Sequence, residues 1–459
     1  MSNMIENKTI AAISTPHGKG GVALIRISGD EALSVAKRVF KTKATDISPR
    51  KSYYGEILRD GKVIDDGILT YFKGPGSFTG EDVCEICCHG GIYVTKCVLE
   101  SVLSQGATLA SAGEFTKRAY INGRLTLSRA EAIGNIIDAK TDSQLALSSS
   151  QARGTLSKRV EEIREMMIGL LAHAYATIDY PDEDIDEADT KEMLSTLTSV
   201  VSSLEMLKKS YRAGKAVCEG VKTVIVGKPN AGKSSLYNML LGENLAIVTD
   251  IEGTTRDIIE NTASLGGVTI NLADTAGIRD TNDLVEKIGV SRARERIEDS
   301  DLVLCVFDYS RAESYEDLSI LDLVRDKSAI AIINKTDTPR GISLDFEEKV
   351  KENFKRVIYA SAINTQGYED LARAVEEMFD LGEIDLSQDA VISNARQSAS
   401  VCVALDEALA SYEALSIGQT PDIICASLEK ALASLDMIDA RGASEKIVSA
   451  IFSRFCVGK

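Results

Sequence analysis

Hydrophobic and polar positions alternate in short runs over the first part of the chain. From Thr9 to about Leu125, apolar runs are separated by turns rich in glycine, proline and aspartate. This pattern predicts an α+β domain. Its expected strands are Thr9–Ile13, Val22–Ile27, Ile68–Phe72 and Val83–Cys88, with helices near Asp30–Phe40 and Gly91–Ser104.

Beyond Leu125 the apolar residues recur every three or four positions, which indicates long helices. One apolar stripe runs from Leu156 to Ile178 and is expected to end at Tyr180-Pro181, because proline cannot continue the helical hydrogen bonds. A second helical pattern ends near Gly214, and helical sequence returns after about Leu381.

Between Val221 and Asp380 short apolar runs alternate with helical segments. This alternation predicts a mostly parallel sheet with helices on both faces. The expected strands are Val221–Val226, Val268–Ala273, Leu302–Asp308, Ala329–Ile333 and Arg356–Ala360. The flanking helical segments most simply form one domain into which this α/β unit is inserted, so the fold class is α/β plus α.

A glycine-rich loop, GKPNAGKSS over Gly227–Ser235, follows the first expected strand of the inserted unit. The backbone N–H groups of such a loop point at an anion, and the following helix adds the positive end of its dipole. Lys233 is expected to reach the β- and γ-phosphates and Ser234 to coordinate magnesium. The expected nucleotide contacts are Asn230, Ala231, Gly232, Lys233, Ser234 and Ser235.

Four further motifs follow in loops on the ligand side of the expected sheet. Thr255 supplies a second magnesium hydroxyl, and Asp274-Thr275-Ala276-Gly277 supplies a carboxylate and a glycine N–H beside the γ-phosphate. Asn334-Lys335-Thr336-Asp337 selects guanine, because adenine offers the Asp337 carboxylate no N1–H and N2–H₂ donors. Ser361-Ala362 closes the base pocket. These motifs predict that the chain binds GTP and Mg²⁺.

The order of these motifs resembles that of the Ras-like GTPases, with one departure. Ile278 stands where Ras-type proteins carry a water-positioning glutamine. An apolar residue there is shared by a group of GTPases that activate on dimerisation and use potassium in place of an arginine finger. Their marker is an asparagine in the glycine-rich loop Gly227–Ser235, called the phosphate loop below, and here it is Asn230. This resemblance implies a monovalent cation that stabilises the negative charge developing during hydrolysis.

The composition restricts the partners. The 459 residues carry a net charge of −17, and the excess of carboxylates lies beyond residue 124. Nucleic-acid binding needs clustered Lys and Arg, so DNA is not expected as a ligand, and RNA must bind to local basic patches or to a partner's surface.

The sequence has no apolar signal core and no apolar run near the ~18 residues that span a bilayer. A cytoplasmic protein with reduced cysteines and no membrane contact is expected.

Two clusters of ligand-type side chains have two interpretations each. Cys84, Cys87, Cys88 and His89 are either metal ligands or part of a buried strand with small thiol residues. Strand geometry separates Cys87 from the other two cysteines, which favours the buried strand. The acidic run from Asp179 to Asp189 is interpreted as a solvated loop in preference to a metal site.

Over its full length the chain resembles the MnmE (TrmE) family of tRNA-modification GTPases. The matching segments are TPHGKGGVALIRISG at 15–29, GPGSFTGEDVCEICCHGG at 74–91, AGEFTKRAYINGRLTLSRAEAI at 112–133, IDYPDEDID at 178–186, the GTPase motifs and the terminal FCVGK. The resemblance implies a folate-binding and dimerisation domain over 1–124. It also implies a helical domain in two parts, 125–216 and 384–459, around a Ras-like P-loop GTPase domain over 217–383.

The same resemblance assigns residues that no local pattern identifies. A 5-formyl- or 5,10-methylene-tetrahydrofolate is expected at Arg26, Glu85, Arg124 and Lys459, although the family often has lysine in place of Arg124. The implied potassium ligands are Asn230, Thr249, Ile251 and Thr254; Thr249 and Thr254 also count as GTP contacts. Glu286 is expected to orient the attacking water beside the catalytic Lys233. Cys456 is expected to be needed for tRNA modification and dispensable for GTP hydrolysis.

The implied function is a potassium-stimulated GTPase that modifies C5 of the wobble uridine, position 34, in certain tRNAs. It implies a homodimer that works with the flavoprotein MnmG, which carries FAD, and a tetrahydrofolate that supplies the carbon. An Era-type ribosome-assembly GTPase is an alternative, but its basic RNA-binding module is not apparent. A folate-dependent transferase with a vestigial nucleotide domain would not need the intact Lys233, Ser234, Asp274 and Asp337.

Overall fold

The computed structural model describes residues 8–179, 187–242, 261–272, 296–440, 445–453, 455 and 458. The chain divides into two compact units. Unit 1 comprises Met1–Gly134 and Asp436–Lys459, and unit 2 comprises Asn135–Leu435. Unit 1 is therefore built from both ends of the chain.

The described strands and helices are numbered in chain order. The strands are β1 (Ile10–Ile13), β2 (Val22–Ser28), β3 (Phe40–Thr42), β4 (Ser52–Arg59), β5 (Lys62–Phe72), β6 (Val83–His89), β7 (Thr108–Leu109), β8 (Val221–Val226), β9 (Asn261–Leu265), β10 (Val268–Leu272), β11 (Leu302–Asp308), β12 (Ala329–Asn334) and β13 (Val357–Ala360). The helices are α1 (Ala32–Val39), α2 (Ile92–Ser104), α3 (Glu114–Ile121), α4 (Leu127–Asp138), α5 (Asp142–Arg153), α6 (Thr155–Asp179), α7 (Glu187–Cys218), α8 (Lys233–Gly242), α9 (Tyr315–Leu323), α10 (Leu344–Asn353), α11 (Tyr368–Met378), α12 (Ala395–Ser416), α13 (Pro421–Asp436) and α14 (Glu445–Phe452).

A seven-stranded sheet forms the centre of unit 1, in the order β3-β4-β5-β6-β2-β1-β7. Neighbouring strands are antiparallel except β1 and β7, which are parallel. Helices α1 and α2 pack with one face, where Ile25, Ile86 and Val98 are fully buried. Because side chains alternate along a strand, Arg26 and Glu85 lie on the other face, half-buried.

The sequence predicts the buried strands of unit 1 but misses the exposed hairpin. Strand β5 begins at Lys62, six residues before the expected Ile68, and pairs with β4 across the turn at Asp60 and Gly61. Both turn residues have positive φ, 50° and 77°. The first half of β5 is exposed or only partly buried, so it lacks the hydrophobic alternation that identifies a strand.

A six-stranded sheet forms the centre of the α/β part of unit 2, in the order β13-β12-β11-β8-β10-β9. All neighbours are parallel except β10 and β9. Strand β11 is buried throughout: Leu304 belongs to the hydrophobic cluster on one side of the sheet and Phe307 to the cluster on the other. The continuous apolar run of β11 is typical of a parallel strand covered on both faces.

Long helices precede and follow this sheet, as the 3.6-residue periodicity indicates. Helix α6 ends at Asp179, before Pro181. Helix α7 continues past the expected end at Gly214 to Cys218. A Cβ at Gly214 would lie 2.1 Å from the Ile392 carbonyl oxygen. That glycine serves close packing instead of ending the helix. Among the described residues, no helix combines the length and the hydropathy of a membrane span.

We expect Gly67→Ala to destabilise unit 1, because its Cβ would lie 2.1 Å from the Cys87 carbonyl oxygen of the neighbouring strand. Strand β5 must then move away from β6, at a cost of about 1–3 kcal/mol. Thermal unfolding of the full chain should show a transition about 5 °C lower. Gly18→Ala is the control, since no atom lies within 4 Å of its Cβ position. Equal unfolding temperatures would contradict this account of β5.

Candidate functional site

The carboxyl ends of β8, β11 and β12 meet at one edge of the unit 2 sheet because these strands are parallel. The glycine-rich loop follows β8 and leads into α8 at Lys233. Asn334 ends β12, and Ser361-Ala362 follows β13. The fold thus brings together three motifs that lie apart in the sequence, at the edge where parallel sheets bind ligands.

The loop requires glycine at Gly232 for two reasons. Gly232 has φ +101°, and a Cβ there would lie 2.0 Å from Asn334 Nδ2. Asn230 also has a left-handed backbone, with φ +61°, a conformation that asparagine tolerates better than most residues. This backbone path leads into the N-terminus of α8, where the helix dipole favours an anion.

The Asn334 side chain joins three segments of the site. Its Nδ2 donates to the Ala231 carbonyl oxygen at 3.0 Å, and its Oδ1 accepts from the Ala362 N–H at 3.1 Å. Asn334 is buried, so these bonds satisfy polar groups that have little access to water. The phosphate loop and the segment after β13 are therefore held by the same amide group.

Lys335, Asp337 and Ser361 surround the same edge. Lys335 has φ +67°, and its Nζ donates to the Asn230 carbonyl oxygen at 2.6 Å. The Asp337 side chain is exposed and open to a ligand. Ser361 is fully buried, and its Oγ has no hydrogen-bond partner among the described residues. A buried hydroxyl without a partner beside an open carboxylate fits a pocket for a polar base.

Lys233 points back over the loop in this structure. Its Nζ donates to the carbonyl oxygens of Gly227 and Lys228, at 2.8 and 2.9 Å. Burial lowers the pKa of the Lys233 ammonium, and the nearby Glu316 only partly opposes that effect. An anionic ligand would restore the charge balance of this amine. Ser234 and Ser235, in the first turn of α8, are exposed, so their hydroxyls are open to a ligand or a metal ion.

A buried ion pair that the sequence did not reveal fixes the loop from outside. Lys228 Nζ lies 2.8 Å from Asp317 Oδ2 and donates to the Ala312 carbonyl oxygen at 3.2 Å. The Lys228 and Asp317 side chains are only 11% and 2% exposed. Asp317 also forms the capping box of α9 with Ser314. Only the three-dimensional contact identifies this role, because 89 positions separate the two residues.

Several expected site residues lie outside the described residues. For the nucleotide site these are Thr249, Ile251, Thr254, Thr255, Asp274, Thr275, Ala276, Gly277, Ile278 and Glu286, and near the chain end they are Cys456 and Lys459. Of the expected metal ligands, the described residues therefore include Ser234 for magnesium and Asn230 for potassium.

A second candidate site lies on the sheet of unit 1, around Arg26. Arg26 Nε and Nη2 contact Glu85 Oε1 at 2.9 and 2.8 Å, across the paired strands β2 and β6. The guanidinium carbon also lies 5.5 Å from the ring centroid of Phe78 and 5.8 Å from that of Phe115. A cation held by one carboxylate and two aromatic rings can receive a planar, anionic ligand. Phe78 and Phe115 lie in segments that carry the family resemblance, but no sequence pattern assigns a binding role to either ring.

Arg124, another expected position, and Gly458, which precedes the expected Lys459 in the sequence, both belong to unit 1. The Arg124 side chain is exposed, and its Cγ lies 3.3 Å from the Cβ position of Gly80, two residues after Phe78. Gly458 accepts a hydrogen bond from Ser14 Oγ at 2.9 Å, and a Cβ there would lie 2.2 Å from the Ile13 carbonyl oxygen. Gly458 thus lies beside β1, which pairs with β2, the strand that carries Arg26.

The cysteines of β6 lie on two faces, which favours the buried-strand interpretation. Cys84 and Cys88 belong to the core of unit 1, and burial raises the pKa of their thiols to about 12 and about 11. Cys87 and His89 lie on the opposite face, where His89 Nδ1 is 2.7 Å from Asp65 Oδ1. Protonated thiols in a core are poor metal ligands.

Comparison with known proteins gives two family models and several full-length relatives. The model of the MnmE helical domain matches residues 127–456, and that of the GTP-binding protein TrmE N-terminus matches residues 9–124. The tRNA modification GTPase MnmE of Clostridioides difficile (strain 630) is 42% identical over 460 residues, covering 99% of this chain and 100% of the relative. The protein of the same name from Thermoanaerobacter pseudethanolicus is 43% identical, covering 98% and 99%. That of Finegoldia magna is 41% identical, also covering 98% and 99%.

We expect Gly232→Ala to weaken binding of GDP to the loop by about tenfold or more, because the loop must leave a left-handed conformation and Asn334 must move. Titration with a fluorescent GDP analogue measures this change. Gly242→Ala, at the other end of α8, is the matched control, since nothing lies within 4 Å of its Cβ position. If both variants bind GDP like the parent chain, the close approach of Gly232 to Asn334 has no role in binding.

Proposed function

The chain belongs to the MnmE family of tRNA modification GTPases, and from that premise we propose that it hydrolyses GTP to drive modification of C5 of the wobble uridine at position 34 of certain tRNAs. The contact of Asn334 and Lys335 with the phosphate loop is the observation that carries the nucleotide part of this proposal. It joins a loop suited to phosphates to a segment suited to a base. Both halves of a nucleotide then bind at one edge of the sheet.

The residues present fit GTP. The loop from Asn230 to Ser235 holds the phosphates through its N–H groups, and Lys233 leaves its two carbonyl partners to face them. Asp337 accepts from guanine N1–H and N2–H₂, and adenine would leave this carboxylate unpaired. Ser361 and Ala362 close the base pocket. On this proposal, residues 217–383 form a Ras-like GTPase domain inserted between two parts of a helical domain, 125–216 and 384–459.

Each metal ion of the proposal has one ligand in the phosphate loop and others in later segments. Ser234 and Thr255 hold magnesium, and Asp274, in the segment Asp274–Gly277, orders the magnesium coordination shell. Asn230, Thr249, Ile251 and Thr254 hold potassium. The exposed Ser234 hydroxyl and the exposed Asn230 side chain fit these roles. When bound, the two cations supply positive charge that stabilises the transition state of phosphoryl transfer.

Water activation is assigned to Glu286, since Ile278 occupies the position where a glutamine would do this work. A carboxylate can accept a proton or orient water, directly or through a bridging water molecule. An isoleucine side chain can do neither. Hydrolysis by this chain therefore depends on its own acidic residue and on a cation, without an arginine from an activating protein.

The proposed folate site lies on the unit 1 sheet, in the domain over residues 1–124. Arg26, Glu85 and Arg124, joined by Lys459, bind a 5-formyl- or 5,10-methylene-tetrahydrofolate, which supplies the one-carbon unit when bound. The ion pair of Arg26 with Glu85 between two phenylalanine rings supports a planar ring with an anionic tail. The position of Gly458 beside β1 supports the contribution of the chain end.

The proposed assembly is a cytoplasmic homodimer that works on tRNA with the flavoprotein MnmG, whose FAD serves the redox chemistry. Three apolar side chains on one face of the unit 1 sheet support dimerisation: Val22, Tyr54 and Ile68 are 64%, 71% and 43% exposed. The strand register puts them on the same face as Arg26. GTP binding then brings two nucleotide domains together, and product release separates them.

We expect GTP turnover to be at least tenfold faster in potassium than in sodium at equal ionic strength, because the smaller ion does not match the oxygen shell around Asn230. Glu286→Ala should lower turnover about a hundredfold while GDP binding stays intact. Asp283→Ala, three positions earlier, is the control. Equal rates in both salts would exclude the potassium site, and full activity of Glu286→Ala would exclude its role in hydrolysis.

We expect Cys456→Ser to abolish modification of uridine 34 and to leave GTP turnover unchanged, because the thiol serves the modification step alone. Nucleoside analysis of tRNA from cells that carry the variant measures the product, and phosphate release measures turnover. Cys402→Ser, a substitution of a half-buried thiol in α12, is the control. Normal modification by the Cys456 variant would remove this thiol from the mechanism.

A further inference from the structure

Asp308 is a buried carboxylate at the end of β11 that none of the nucleotide motifs includes. Its side chain is 1% exposed, and it lies at the same edge of the sheet as the phosphate loop. Strand β11 stands between β8, which precedes that loop, and β12, which precedes Asn334. The position of Asp308 thus puts a negative charge between the phosphate-binding and base-binding segments.

The carboxylate of Asp308 has two sets of partners. Its Oδ1 accepts from the Ser310 N–H at 2.9 Å and from Ser310 Oγ at 2.6 Å. Its Oδ2 lies 2.6 Å from Lys335 Nζ, and the exposed Arg311 Nε lies 4.0 Å away. Burial raises the pKa of the carboxyl, but the hydrogen bonds from Lys335 and Ser310 outweigh it, so the pKa is lowered and Asp308 is ionised.

Lys335 connects Asp308 to the phosphate loop. The same Nζ that contacts Asp308 donates to the Asn230 carbonyl oxygen at 2.6 Å. Both Lys335 and Asn230 have a left-handed backbone, with φ of 67° and 61°, and such conformations persist only where their surroundings hold them. The Lys335 side chain is 27% exposed, so without a buried counter-charge its ammonium would gain hydration by turning toward water.

We infer that Asp308 is a positioning residue for nucleotide binding, which acts through Lys335 to hold the Asn230 segment of the phosphate loop against the base-binding segment. This inference rests on the proposed GTPase function. A purely local role is the competing explanation, because Asp308 also forms a turn with Ser310. The two explanations differ in one respect: only the positioning role requires Lys335.

A double-mutant cycle separates these explanations. Asp308→Asn keeps the shape of the side chain and one oxygen for Ser310, but removes the negative charge that faces Lys335. We expect it to weaken GDP binding by about tenfold or more. In a Lys335→Met background, Asp308→Asn should have no effect on GDP affinity, because the side chain that connects Asp308 to the phosphate loop is absent. Calorimetric titration of the full chain with GDP measures all four affinities.

Glu347→Gln is the matched control. Glu347 is also a buried carboxylate of unit 2, and it pairs with Lys351 at 2.8 Å and with Arg340 at 2.5 Å. It has no contact with the phosphate loop among the described residues. The control should lower the unfolding temperature about as much as Asp308→Asn, yet bind GDP like the parent chain. Ser310→Ala is the milder second variant, and its smaller loss of GDP affinity should also disappear in the Lys335→Met background.

Each outcome decides between the explanations. Equal losses of affinity from Asp308→Asn with and without Lys335 would overturn the positioning role, as would unchanged affinity of the single variant. Should Asp308→Asn fail to fold, Ser310→Ala with and without Lys335→Met carries the same decision. If the parent chain itself binds no GDP, the proposed GTPase function fails. If the parent chain binds GDP and the cycle is additive, only the inference about Asp308 fails.

Discussion

One buried amide group links the two segments that the proposed nucleotide site requires. Asn334 has a donor and an acceptor on one planar group, so it can satisfy a carbonyl of the phosphate loop and an N–H of the segment after β13 at once. Neither backbone group could be left without a partner cheaply, since each costs about 1–3 kcal/mol when buried and unpaired. The close fit of Gly232 exists because this amide must approach the loop. The geometry that fixes the phosphate loop therefore also fixes the segment that is proposed to close the base pocket.

Both candidate sites hold their cations in the same way. Arg26 is paired with Glu85, Lys228 with Asp317, and the ammonium of Lys335 lies between a carboxylate and a carbonyl oxygen. A flexible basic side chain loses conformational entropy when it binds a ligand, whereas a paired one is already oriented. An acidic chain can thus present ordered cations to anionic ligands at defined places. The net charge of −17 describes the chain as a whole and says little about either site.

The hydrophobic pattern predicted the elements whose burial is strong. Strand β11 follows from its continuous apolar run, helix α6 from its apolar period, and the phosphate loop from the spacing of its motif. The first half of β5 is not predicted, because it is exposed or only partly buried and so has no alternation of apolar and polar residues. The sequence predicts a helix end near Gly214, since sequence alone does not distinguish a glycine that permits close packing from one that ends a helix. Phe78, Phe115 and Asp317 gain their roles from partners far along the chain, which no local window contains.

The two ends of the chain complete one unit. Gly458, with φ +99°, accepts a hydrogen bond from Ser14 and packs against the Ile13 carbonyl oxygen. During synthesis, residues 8–134 leave the ribosome long before the segment that begins at Asp436, and all of unit 2 is made in between. Strand β1 therefore lacks its contact with Gly458 until the whole of unit 2 has been synthesised.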